Sequence, residues 1–232
     1  MNWKTLLAAG FVFLTMTAGA AAQTCQIDRY KDLVCGDGRD AVRVLPNTTS
    51  PSKQLAFGWR MKGGQRMPVN GPDREEDVEN VLVRLSDGAV LAKLGGHHWT
   101  LGERHANQLD TIVTWSADER AVVETQSGRW STEAQTYAAI ASDKVSTLDL
   151  LALFEPKIRA RMAKEFRDEY GLRVRASDPA AFEKNGRLRV GTVMHVPHVG
   201  KTRWFDVMLQ ISPKGAVPQA KLVSIKEVKG KP

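Results

Sequence analysis

Short apolar runs separated by compact turns dominate this sequence, and this pattern constrains the fold more than any other feature. The clearest case is Asp87-Gly88, which stands between apolar runs at 81–85 and 89–94. An Asp-Gly pair in that setting is the strongest short-range signal for an antiparallel hairpin. A second hairpin is predicted across the polar turn at 116–120. The pattern therefore predicts antiparallel sheet rather than parallel strands joined by helices.

Three turn segments between residues 50 and 141 form a weak repeat. They are Ser50-Pro51-Ser52-Lys53, Ser86-Asp87-Gly88-Ala89 and Trp115-Ser116-Ala117-Asp118-Glu119-Arg120. Each resembles the turn between blade strands of β-propellers, and the resemblance implies blade-like hairpins in this part of the chain. The spacing is shorter than the roughly 40–45 residues of a blade. The alternative is hairpin chemistry of the same kind without propeller ancestry.

After residue 142 the sequence predicts a helix. Ser146 with Asp149 three residues later predicts its start, and Pro156 predicts an end near Phe154, followed by a kink or a new helix. Apolar side chains then recur every four residues, at Phe154, Ile158, Met162, Phe166 and Tyr170. Acidic residues on the other faces favour packing against a sheet over lying on a membrane surface.

The C-terminal part returns to strands. Residues 187–196 alternate apolar and polar side chains, and apolar runs at 204–211 and 222–228 follow. The predicted fold class is therefore α+β and predominantly antiparallel β, with an N-terminal hairpin-rich sheet, one amphipathic helix and a C-terminal three-stranded meander. We divide the chain into a signal at 1–22, a hairpin region at 23–142 and a helix-plus-sheet region at 143–232, with one continuous domain as the alternative.

The N-terminal residues follow the pattern of a cleavable export signal. Lys4 precedes an apolar stretch at 6–16, and Ala20-Ala21-Ala22 supplies the small residues of a cleavage site before Gln23. The apolar stretch is shorter than the roughly 20 residues that span a membrane. We expect a soluble periplasmic or secreted protein, cleaved near Ala22, with no transmembrane segment afterwards. An uncleaved anchor and a lipoprotein are the alternatives.

Cys25 and Cys35 are the only cysteines, and both follow the predicted cleavage site. An even cysteine count in an oxidising compartment favours a disulfide. Such a bond would stabilise the fold by about 2–3 kcal/mol in the chain-entropy model. A metal pair is the alternative, while the spacing excludes a redox motif of the Cys-x-x-Cys type.

The net charge of +7 allows an anionic partner or simply a soluble surface. Nucleic acid fits an exported chain poorly, so we expect no nucleic-acid partner. Another envelope protein or an anionic cell-wall polymer is the expected partner.

The densest group of histidines is His97, His98 and His105, with Glu103 and Asp110 nearby. Zinc sites use at least three such ligands, but these residues follow no recognised spacing. The sequence also lacks the G-x-S-x-G and HExxH motifs of hydrolases. We therefore expect no metal, no cofactor and no catalytic residues. A periplasmic enzyme, hydrolytic or metal-dependent, that uses these histidines is the alternative.

Two of the tryptophans stand in polar, loop-like surroundings. Trp99 follows Gly95-Gly96-His97-His98, and Trp130 follows Gly128-Arg129. Exposed tryptophan and arginine dominate binding hot spots. Trp99, Trp130, Arg129 and the three histidines are therefore the predicted binding residues, with burial in the core as the alternative for each tryptophan. The expected function is that of a non-catalytic envelope protein that binds another protein or a cell-wall polymer.

Overall fold

A computed structural model describes residues 24–106, 110–162, 171–196, 201–212 and 217–229. The predicted export signal at 1–22 lies outside the described residues. Within these ranges, no helix is long and apolar enough to cross a membrane.

Six antiparallel strands form the first sheet, arranged in chain order. They are β1 (Cys25–Ile27), β2 (Leu33–Cys35), β3 (Val42–Val44), β4 (Leu55–Met61), β5 (Val78–Arg84) and β6 (Val90–Leu94). The sheet curls, since Cys25 Sγ at its start lies 3.2 Å from the carbonyl oxygen of Leu85. Gly58 permits the close approach of β3, because a Cβ there would lie 2.5 Å from Val42 Cγ1.

The predicted disulfide between Cys25 and Cys35 is confirmed. The two residues are direct partners in the pairing of β1 with β2. The bond therefore fastens β1, which buries little side-chain surface of its own, to β2.

A two-stranded hairpin and a four-stranded second sheet follow. The hairpin consists of β7 (Thr100–Leu101) and β8 (Arg104–His105). The second sheet has the order β12-β11-β10-β9 and consists of β9 (Asp110–Trp115), β10 (Ala121–Ser127), β11 (Thr132–Ala141) and β12 (Lys144–Asp149).

The helix α1 (Leu151–Arg159) leads into the third sheet. This sheet consists of β13 (Leu172–Val174), β14 (Ala181–Glu183), β15 (Arg187–Val196), β16 (Lys201–Ser212) and β17 (Gln219–Val228). The last three form the predicted antiparallel meander, and β13 and β14 both pair with β15. The α+β, mainly antiparallel fold class is therefore confirmed.

The second sheet forms the middle layer of the protein. Val122 and Ala138 on one of its faces pack into the core shared with the first sheet. Val123 and Tyr137 on the other face pack into the core shared with α1 and the third sheet. All seven residues of β10 are consequently buried. The boundary predicted at 142 falls in the turn between β11 and β12, two strands of this one sheet.

The predicted helix start at Ser146 is wrong. Residues 144–149 form β12, in which Leu148 pairs with Tyr137 of β11. Strand pairing here outweighs the local capping pattern, and Asp149 instead accepts a hydrogen bond at 3.1 Å from the backbone N–H of Ala152 in the helix that follows. The position of the helix start is thus set by the sheet.

Pro156 does not end the helix as predicted but lies inside α1. The apolar stripe explains why the helix continues, because Leu151, Phe154 and Ile158 are all buried against the third sheet and β11. Met162 continues that stripe. Phe166 and Tyr170 lie outside the described residues.

Candidate functional site

The histidine segment, residues 95–106, lies against polar side chains at the interface of the first and second sheets. Asn80 of β5 donates to the carbonyl oxygen of His98 at 2.7 Å and accepts from its backbone N–H at 2.9 Å. Gln126 of β10 donates to the carbonyl oxygen of Gly95 at 2.7 Å. Both amide side chains are buried. One side chain from each sheet therefore fixes the path of the segment's backbone.

The three predicted histidines have different surroundings. His97 Nδ1 lies 3.2 Å from the carbonyl oxygen of Val78, whereas His105 is exposed. Burial lowers the pKa of His98 to about 4, while the Asp110 carboxylate acts in the opposite direction. His98 is therefore a neutral, buried side chain at pH 7. Among the residues that the structure describes, no three His, Cys, Asp or Glu side chains are placed to hold a metal ion.

The two predicted binding tryptophans differ in exposure. Trp99 is partly buried and meets the edge of Trp59, with ring centroids 6.2 Å apart. Trp130, at the tip of the β10–β11 hairpin, is 71% exposed. The guanidinium carbon of Arg129 stands 4.6 Å from the centre of the Trp130 ring. Trp99 thus contributes to the core, and Trp130 with Arg129 forms the exposed pair; a binding role for either stays a prediction.

A buried carboxylate that the sequence did not single out lies close to the histidine segment. Glu124 of β10 is 1% exposed, and its Oε1 accepts a hydrogen bond at 2.7 Å from the Gln126 amide. No described group pairs with its Oε2. Burial raises the pKa of Glu124 to about 8, and the bond from Gln126 acts in the opposite direction. The side chain is therefore mostly protonated at neutral pH.

An open groove lies between the second and third sheets, at the end of β10 away from Trp130. Its volume is about 580 Å³, within the range of roughly 300–1,000 Å³ typical of small-molecule sites. The second sheet contributes Ala121, Tyr137 and Ala139 to the lining, and the third sheet contributes Phe182 and Ile211. We refer to these five residues as the groove floor.

Small side chains on the second sheet create this groove. One row of cross-strand neighbours that faces the third sheet consists of Val123, Tyr137 and Leu148. The next row towards the groove consists of Ala121, Ala139 and Ser146. Packed sheets stand about 10 Å apart, a gap that large side chains must fill. The row of two alanines and a serine leaves that gap open.

Two aromatic rings give the floor its apolar surface. Tyr137 and Phe182 meet across the sheets with ring centroids 6.4 Å apart. Burial raises the pKa of the Tyr137 phenol, and the nearby Asp118 carboxylate adds to the effect. The phenol is therefore neutral at physiological pH and adds no charge to the floor.

Three basic side chains, Arg120, Lys144 and Arg187, stand at the rim of the groove. All three are exposed. None of them forms an ion pair with another residue in the described part of the chain. We refer to them as the basic rim.

Two acidic residues also line the groove, but both face donors of the chain itself. Asp118 accepts from the Ser116 hydroxyl at 2.7 Å and from the backbone N–H of Arg120 at 3.1 Å. The hydrogen bond from Ser116 is the largest cause that lowers the pKa of Asp118. Glu183 lies 3.6 Å from the guanidinium of Arg189. The Asp118 carboxylate also interacts electrostatically with Arg120, so one acid faces three basic side chains and the rim keeps a net positive charge.

No residue predicted to bind from the sequence lies in the groove. The groove combines the turns and strand ends around residues 116–146 with residues 182–218, which are distant in the chain. The one sequence signal was the presence of three alanines, Ala138, Ala139 and Ala141, in a predicted strand, where larger side chains are more common.

Comparison with known proteins assigns no family. No family model matches this chain, and no curated protein and no solved structure matches it significantly. The resemblance of residues 50–141 to propeller blade turns accordingly stays a prediction. The three turns do connect neighbouring antiparallel strands, β3 to β4, β5 to β6 and β9 to β10.

Proposed function

We propose that this protein is an exported, non-catalytic envelope protein that binds an anionic envelope component in the groove between its second and third sheets. The signal pattern at 1–22 supports export to the periplasm or the medium. The disulfide supports an oxidising compartment. The observation that carries the binding proposal is the apolar groove floor below an unpaired basic rim. Another protein or a cell-wall polymer is the component expected from the sequence.

The polar groups of the groove support binding rather than chemistry. The Ser116 hydroxyl lies beside the Asp118 carboxylate, and a nucleophilic hydroxyl and its activating group have the same arrangement. That hydroxyl, however, also accepts the backbone N–H of Ala121 at 2.9 Å, and the Asp118 carboxylate accepts the N–H of Arg120. The pair therefore closes the β9–β10 turn.

Filling the groove is expected to abolish binding to the envelope component. In the Ala139→Trp variant, the indole would occupy the space above the floor, and we expect the affinity to fall at least about tenfold, which corresponds to about 1.4 kcal/mol. The measurement is co-sedimentation of the purified protein with isolated cell-wall sacculi, together with cross-linking to envelope proteins.

The matched control is Ile27→Trp, which adds the same side chain to an exposed position of the first sheet. Lys144→Glu reverses a charge of the basic rim without filling the floor, so a folding defect of Ala139→Trp would not obscure the result. Binding that survives both groove variants would refute the groove as the binding site. If the unaltered protein retains nothing, the binding function itself is wrong.

One observation favours the alternative of a periplasmic enzyme that uses the histidine segment. His98 is close enough to Asp110 and His105 for both to affect its pKa. Because no three potential ligands among the described residues are placed to hold a metal ion, we expect Zn²⁺ titration to show no binding that His98→Ala abolishes. Stoichiometric Zn²⁺ binding that depends on His98 would instead favour the enzyme.

A further inference from the structure

The groove floor offers apolar surface to a ligand but few hydrogen-bonding partners for the ligand's polar groups. Its strands β10 and β11 lie inside the second sheet, and their backbone groups are paired with strands on both sides. On the opposite side, Ile211 lies in β16, which is paired with β15 and β17, whereas Phe182 lies in β14, which pairs with β15 alone among the described strands. A peptide or a glycan on this floor would bury polar groups without partners, which is costly. An alkyl chain needs no such partners.

The basic rim, in contrast to the floor, favours a negatively charged group on the ligand. Arg120, Lys144 and Arg187 provide three cationic side chains at the mouth, with no ion-pair partner in the described ranges. Of the two acids beside them, Glu183 faces Arg189 and Asp118 offsets part of the charge of Arg120, so the rim keeps a net positive charge. A ligand that fits the groove is therefore apolar at one end and anionic at the other.

We infer that the groove binds a single-chain amphipathic anion, with its alkyl tail on the floor formed by Ala121, Ala139, Tyr137, Phe182 and Ile211 and its carboxylate facing the basic rim. This inference rests on the proposed function, because it concerns the same groove, but it replaces the protein or cell-wall polymer expected from the sequence with a small amphipathic anion. The groove, with a volume of about 580 Å³ between the two sheets, receives the tail, and the exposed rim leaves the head group in contact with water.

Isothermal titration of the exported, processed protein with dodecanoate tests this inference. We expect dodecanoate to bind at least about tenfold more tightly than dodecyltrimethylammonium, because only the anion complements the rim. We also expect octanoate to bind more weakly, since each buried methylene contributes roughly fourfold in affinity. Dodecanol, which has the tail without the charge, separates the two contributions.

Two arginine variants with the same loss of charge provide the control. Arg187→Gln is expected to weaken dodecanoate binding about fivefold or more and to leave dodecanol binding unchanged. Arg39→Gln, on an exposed turn of the first sheet, is expected to change neither. Raising the ionic strength is expected to reduce the preference for the anion, because the rim is exposed.

Equal binding of dodecanoate and dodecyltrimethylammonium would overturn the inference, and so would affinity that is independent of tail length. If no amphiphile binds but sacculi or envelope proteins are retained in an Ala139-dependent manner, the ligand class is wrong and the proposed function stands. If neither amphiphiles nor envelope components bind, both proposals are wrong.

Discussion

Replacing Trp59 with alanine is expected to lower the free energy of unfolding by about 3–5 kcal/mol. Trp59 has no exposed surface and lies in the core between the first and second sheets. Its indole also donates to the carbonyl oxygen of Thr100 at 2.9 Å and meets the edge of Trp99. The substitution would leave a large cavity and a buried carbonyl without its partner. Urea unfolding measures the effect as a lower midpoint at an unchanged slope.

The same substitution at Trp130 is the matched control. Trp130 is 71% exposed and contacts the guanidinium of Arg129, so Trp130→Ala is expected to change the unfolding free energy by less than about 1 kcal/mol. Similar losses for both variants would contradict the assignment of Trp59 to the core and of Trp130 to the surface. Trp130→Ala also tests the predicted binding role of Trp130, if it lowers envelope binding without lowering stability.

The strands and their turns could be predicted because their signals are local. Asp87-Gly88 lies in the turn between β5 and β6, as predicted from a residue pair that tolerates the required backbone angles. The apolar alternation at 187–196 likewise corresponds to β15, in which Leu188, Val190 and Met194 are fully buried. In both cases the information lies within a few consecutive residues.

The layer arrangement could not be predicted, because it depends on contacts between distant segments. In β10, Val122 faces one core and Val123 faces the other, and even Glu124 and Gln126 are buried. From the sequence alone, a seven-residue strand that contains a glutamate and a glutamine would be predicted to have one exposed face. Ser146 shows the same limit, since its capping pattern is overridden by the pairing of β12 with β11.

The groove could not be predicted from the sequence, for a related reason. The histidines and tryptophans attract attention because their chemistry is distinctive, yet His98 and Trp99 are held inside the fold. The groove exists instead because the side chains of Ala121 and Ala139 are small and leave space opposite Phe182. An absent side chain has meaning only once the opposing sheet is known.

Stability is expected to fall as the pH rises from about 6.5 to 8, because of Glu124. Its pKa is about 8 in the fold against an ordinary value of 4.5, so the unfolded chain releases a proton that the folded protein keeps. Unfolding free energy therefore decreases with pH across that window. His98, with a pKa of about 4 against 6.5, acts in the opposite sense and offsets the fall below pH 6.5. Above it, the slope should be on the order of 1 kcal/mol per pH unit.

Glu124→Gln is expected to remove this slope and to be roughly 3–5 kcal/mol more stable than the unaltered protein at pH 8. Glutamine keeps an oxygen to accept the bond from Gln126 but has no charge to bury. Glu103→Gln, at an exposed position in the β7–β8 turn, is the matched control and should leave the slope unchanged. Urea midpoints at pH 6.5, 7.2 and 8 measure the difference. A slope that persists in Glu124→Gln would assign the titration to another group and would mean that the Glu124 carboxyl is not kept protonated by its burial between the sheets.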